Sequence, residues 1–207
     1  MEGGHRHLVL ASSSPTRLRL LRDAGFDPEV VVSGVDETSV PAADTRSLVE
    51  VLATMKASAV ARPGGGSLVL GCDSLLEFDG RSLGKPDSAA EARQWLVAMR
   101  GRSGSLFTGH CLVDERTGGR AVGVAGTEVR FARTTDAELD AYLATGDACR
   151  VAGAFTIDGR SAPFVEGVVG DPSNVLGLSL PLLRDLLADL GLSVFDLWAT
   201  APAAGAR

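Results

Sequence analysis

Apolar residues along the chain fall into two rhythms that alternate. Leu8-Val9-Leu10-Ala11 is a continuous run of buried-strand type within a predicted strand over 7–11, and helical spacing takes over in 15–24. The alternation continues with a strand over 29–33, a helix over 45–61, a strand over 67–72 and a hairpin over 74–83 turned at Asp79-Gly80. A helix at 88–100 stops at Gly101, and two longer strands, 105–114 and 121–132, flank a turn and read as antiparallel. Thr135 and Glu138 form a capping box for a helix that ends at Gly146. Short strands over 151–157 and 163–169 and a last helix over 180–190 complete the pattern. These elements predict an α/β chain with a long mixed β-sheet flanked by helices, organised as one domain over 1–198 with a loose Ala-rich tail at 199–207.

The junction between the first strand and helix carries the clearest chemistry. Ser12-Ser13-Ser14-Pro15-Thr16-Arg17 supplies an N-cap at Ser14, a proline at the first helical position and an arginine on the first turn. Free N–H groups, serine hydroxyls and Arg17 would together face an anion, for which phosphate is the natural guest. A capped helix following an edge strand is the plainer alternative.

Composition narrows the partners. A chain of 207 residues with a formal net charge of −6 has no broad attraction to nucleic acid or to anionic membranes, so a polyanion must be met by a local basic cluster. The polar start, Met1 to His7, offers neither a signal peptide nor a membrane span. Three cysteines without metal-ligand spacing fit a reducing compartment, and the cytoplasm is the expected location. His5, His7 and His110 have no ligand or triad spacing, and both a P-loop and a G-x-G-x-x-G motif are absent.

Five further acidic and basic residues are candidates. Asp73 follows Leu68-Val69-Leu70-Gly71-Cys72, which places a carboxylate at the carboxyl edge of a central strand, where ligands collect in open α/β sheets. Buried there, it is either hydrogen-bonded structurally or holding a metal, a water or a proton. Lys85, fixed between Gly84 and Pro86, is either a surface lysine or a cation for phosphate. Lys56 borders the apolar face of the 45–61 helix. Asp36-Glu37 is a solvated loop pair unless it joins Asp73 to supply the hard oxygen ligands that Mg²⁺ or Mn²⁺ prefer.

Taken in order, Leu10-Ala11-Ser12-Ser13-Ser14-Pro15 with Arg17, Val35-Asp36-Glu37, Lys56-Ala57, Gly71-Cys72-Asp73-Ser74, Leu83-Gly84-Lys85-Pro86, Ala152-Gly153-Ala154-Phe155 and Ser173-Asn174-Val175-Leu176-Gly177 resemble the Maf family of nucleotide pyrophosphatases over nearly the whole chain. The resemblance implies an inosine triphosphatase-like fold with two lobes around a central cleft. It also implies hydrolysis of a nucleoside triphosphate between the α and β phosphates, with a divalent cation, Mg²⁺ or Mn²⁺, as cofactor. In that scheme Asp73 is the proton acceptor, Glu37 and Asp73 hold metal, and Ser12, Ser14, Arg17, Lys56 and Lys85 clamp the substrate. Homodimerisation is an expectation of the resemblance alone.

Three positions depart from the family members selective for dTTP and UTP: Thr16 replaces a second arginine, Ser74 a threonine and Asp158 a glutamine. All three belong to the expected substrate-binding set. A carboxylate at Asp158 suits the N–H edge of guanine better than a uracil carbonyl, so purine or modified guanine nucleotides are the expected preference. A different class also stays open, a regulatory protein that senses a nucleotide in the same cleft and restrains septum formation.

Overall fold

The computed structural model describes residues 6–37 and 40–198. The expected tail at 199–207 and the chain start at 1–5 lie outside the described residues. Strand β1 (Leu8–Leu10) leads through Ser14 into helix α1 (Pro15–Asp23), and β2 (Glu29–Val30) precedes α2 (Thr45–Val60). Then come β3 (Leu68–Phe78), β4 (Arg81–Leu83), α3 (Ala89–Met99), β5 (Ser103–Asp114), β6 (Arg120–Phe131) and α4 (Asp136–Leu143). After two 3₁₀ turns at Asp147–Arg150 and Ala152–Ala154, a third at Ala162–Phe164 enters β7 (Val165–Val169), and α5 (Pro172–Val175) and α6 (Leu180–Asp189) follow.

The seven strands form one mixed sheet in the order β2-β1-β3-β5-β6-β7, with β4 on β3. β1 runs parallel to both β2 and β3, whereas every other pairing is antiparallel. β3 is the strand on which the site depends. One edge is paired with β5 over Leu68–Glu77; the other meets β1 only at Leu68–Leu70 and β4 only at Leu76–Phe78. Gly71 to Leu75 therefore have a strand partner on one side alone, and the sheet opens there.

That opening divides the core. On one side Leu8, Leu10, Leu21, Leu68, Leu70 and the inward leucines of α6 pack together. On the other, Leu76, Phe78, Leu96, Leu106, Tyr142 and Phe155 pack beneath α3 and α4. Two cores at the two ends of β3, both on the face of its even-numbered residues, give the expected two lobes. No helix among the described residues is long and apolar enough to cross a membrane.

Three expectations need correction. Asp73 does not end a strand: β3 runs on for five more residues, because β5 pairs it past the polar Asp73-Ser74 step. The expected strand over 151–157 is a tight turn, with successive Gly153 and Ala154 at φ of 66° and 63°, outside the extended region a strand requires. The expected strand over 29–33 pairs only at Glu29–Val30.

Candidate active site

The gap in the sheet is the floor of a cleft of about 830 Å³, lined from one lobe by Ser12 to Arg17 and from the other by Gly84, Lys85, Phe155 and Thr156. Its first wall is built as the sequence predicts. The Ser14 hydroxyl accepts from the Arg17 backbone N–H at 3.3 Å, Pro15 occupies the first helical position, and the Ser12 hydroxyl accepts from Ser14 N–H at 3.2 Å. Thr16 lines the same wall, half-buried.

Arg17 reaches across from α1. Its Nε donates to the Gly177 carbonyl at 2.7 Å, one Nη to the Ser12 hydroxyl at 3.2 Å and the other to the Ser74 hydroxyl at 2.9 Å. Ser74 is in turn 2.9 Å from the Thr108 hydroxyl on β5. The guanidinium thus ties β1, β3 and the loop before α6 into one frame, a bracing role that spacing along the chain did not disclose.

The charged centre lies on the opposite face of β3, as alternation along a strand requires. Lys56 Nζ is 2.5 Å from Asp73 Oδ1 and 2.8 Å from Glu37 Oε1, so α2, β3 and the loop after β2 converge on one ammonium group. This is possible because α2 lies directly against the strands. A Cβ on Gly71 would overlap the Ala53 carbonyl and Ala57 N–H, and one on Gly109 would overlap the Val49 carbonyl. Both glycines sit mid-strand, a sequence signal of close backbone approach.

Burial raises the Asp73 pKa above its ordinary value, outweighing the attraction of Lys56 and Arg17 for its charge. A carboxyl held this way takes up a proton more readily than a solvated one. Neighbouring Cys72 is fully buried, its thiol pushed up to about 12, and is chemically inert as a nucleophile. Cys111 and Cys149 are also free thiols.

The remaining candidates divide. Lys85 lines the cleft and is exposed. Asp158 sits apart: its neighbours Thr156, Gly159 and Arg160 line the cleft, while its carboxylate is held by Arg19 of α1 and the Thr156 hydroxyl. His110, which spacing tied to nothing, is buried between lobes. Its Nε2 accepts from Ser179 N–H at 2.8 Å, which places the ring proton on Nδ1, 3.1 Å from the Thr108 carbonyl. Burial lowers its pKa to about 4.

Comparison with known proteins agrees with this frame. A model of the family "Maf-like protein" matches residues 7–190. Proteins named nucleoside triphosphate pyrophosphatase are similar throughout: that of Streptomyces coelicolor is 57% identical over 198 residues, covering 95% of this chain and 96% of its own. Those of Streptomyces avermitilis (54% identical, 93% and 95% covered) and Salinispora tropica (53% identical, 93% and 87% covered) follow the same pattern. With the family match spanning both lobes and every segment of the cleft, this chain belongs to the Maf-like protein family.

Proposed function

We propose that this chain is an enzyme that hydrolyses nucleoside triphosphates to a nucleoside monophosphate and pyrophosphate, with Asp73 as the proton acceptor. The observation that carries the reading is the contact of buried Lys56 with buried Asp73 and exposed Glu37 at the floor of a cleft lined also by Ser12, Arg17 and Lys85. The relatives' shared name supports the same reaction.

Lys56 engages Oδ1 of Asp73, which leaves Oδ2 for water. As the water oxygen bonds to the α-phosphorus, its proton passes to Asp73 and the bond to the β-phosphate bridging oxygen breaks, releasing pyrophosphate. The raised pKa of Asp73 brings its basicity closer to that needed for the transfer. The N-terminus of α1, with Ser12 and Ser14, faces the phosphates, and Lys85 approaches from the other lobe. Such chemistry depends on positioning and charge neutralisation more than on covalent catalysis.

The donor set suits a divalent cation of the Mg²⁺ or Mn²⁺ type. Asp73 and Glu37 converge as two hard carboxylates, and among the described residues no larger group of His, Cys, Asp or Glu gathers into a cage. That matches an ion held by one or two carboxylates and completed by phosphate oxygens and water. When bound, it would neutralise phosphate charge and polarise the phosphoryl group.

Asp158 carries no base preference while Arg19 and Thr156 hold its carboxylate, so we assign the nucleobase to no single residue. Product analysis tests the reaction. Incubation with canonical and modified nucleoside triphosphates plus Mg²⁺ should release monophosphate and pyrophosphate in equal amounts from at least one of them. Orthophosphate with diphosphate, or binding without turnover, would overturn it, the latter in favour of a nucleotide sensor.

A further inference from the structure

The cations expected to clamp the substrate are largely committed elsewhere. Arg17 already donates to Gly177, Ser12 and Ser74, and Lys56 already faces two carboxylates. Arg160, also on the cleft wall, is 2.7 Å from Asp147. A triphosphate brings several negative charges into a chain that is itself at −6, so uncommitted positive charge in the cleft is needed. Two cleft-lining cations make no side-chain hydrogen bond or ion pair with the described residues: Lys85 and Arg150.

These two belong to one wall. Arg150 ends the 3₁₀ turn Asp147–Arg150, which begins after Gly146 at φ 74° and runs into the turn at Gly153. Gly153 N–H donates to the Gly84 carbonyl at 2.9 Å, which fastens the segment carrying Arg150 to the residue preceding Lys85. The backbone beneath both side chains is fixed, while the side chains themselves are exposed to the cleft.

We infer that Arg150 is a further phosphate-binding residue of this cleft, pairing with Lys85 to hold the pyrophosphate half of the substrate. The inference rests on the reaction proposed above. A guanidinium offers a planar fork that matches two phosphate oxygens at once, which the neighbouring ammonium cannot do. The leaving pyrophosphate gains charge as the α–β bond breaks, so a free fork on it stabilises the transition state more than the ground state.

Calorimetric titration with inorganic pyrophosphate and Mg²⁺ tests this without relying on turnover. Arg150→Ala should weaken Kd roughly 10- to 100-fold, the range for a lost charged hydrogen-bonding pair. Arg116→Ala, which removes the same charge from an exposed position outside the cleft lining, should leave Kd within about twofold. Equal affinity of R150A and the parent, equal weakening by both variants, or no pyrophosphate binding by the parent would overturn the assignment. If the parent hydrolyses no triphosphate yet loses pyrophosphate affinity only in R150A, the reaction proposed above fails and the Arg150 site stands.

Discussion

Lys56 Nζ lies 2.5 Å from Asp73 Oδ1, with both side chains about nine-tenths buried. The contact joins the middle of a helix to the middle of a strand and puts a full positive charge against the group proposed to accept a proton. Burial favours the protonated acid and Lys56 favours the carboxylate, and their balance leaves the Asp73 pKa raised.

Replacing Lys56 removes the opposing influence. In Lys56→Met the Asp73 pKa rises further, and turnover at neutral pH falls by roughly 10²–10³, the loss associated with one preorganised electrostatic group. The acidic limb of kcat/KM should move to higher pH in the variant. A limb that stays in place while activity falls would show that Lys56 serves binding alone.

The parent enzyme has a related signature. Burial holds the Asp73 carboxyl of the metal-free protein above the ordinary 3.8. Carboxyl NMR titration without metal should therefore place it above the range of a solvated aspartate, and a value at or below 3.8 would contradict the burial argument.

His110 predicts a pH dependence of stability with the opposite assignment of charge. Its folded pKa of about 4 lies below the ordinary 6.5, so the neutral ring's contribution is full above 6.5 and is lost as pH falls from there toward 4. The loss amounts to roughly 3 kcal/mol. Denaturant melts of the parent and His110→Gln at pH 7 and pH 4 should show their stability difference shifting against the parent by that order at the lower pH. A difference unchanged with pH would exclude His110 as the titrating group.

Gly109 holds α2 against the sheet at the level of the site. Gly109→Ala places a methyl group on the Val49 carbonyl, and since the obstacle is backbone it cannot rotate away. A destabilisation of about 2–3 kcal/mol is expected, lowering Tm by roughly 5–10 °C in a chain of this size. Thermal unfolding measures it directly, and an unchanged Tm would mean that α2 does not pack this closely.

Local chemistry was legible in the sequence, and convergence was not. Ser14 and Pro15 announce the start of α1 because capping depends on residues within one turn of each other. The length of β3 was hidden because Asp73 and Ser74 interrupt its apolar run; only pairing with β5 carries the strand through them. Val151 to Phe155 reads as apolar strand, yet Gly153 and Ala154 turn it back on itself to make a cleft wall. Asp73, Lys56 and Glu37 could each be singled out by type, but their meeting depends on α2 crossing β3, which mid-strand Gly71 and Gly109 signal. The bracing by Arg17 and the pairing of Asp158 with Arg19 join residues 160 and 139 positions apart, beyond the reach of any spacing rule.

Whether Asp73 accepts the proton from the attacking water is decided most directly by Asp73→Asn, which keeps the shape of the side chain but removes both the base and one carboxylate that would hold the cation. At saturating Mg²⁺, with phosphate oxygens and water completing the ion's shell, and with the best triphosphate substrate, the variant should bind nucleotide within a few-fold of the parent. Monophosphate and pyrophosphate release should fall by about 10²–10⁴, the range for a lost general base. Turnover within tenfold of the parent's, at equal affinity, would contradict Asp73 as the proton acceptor.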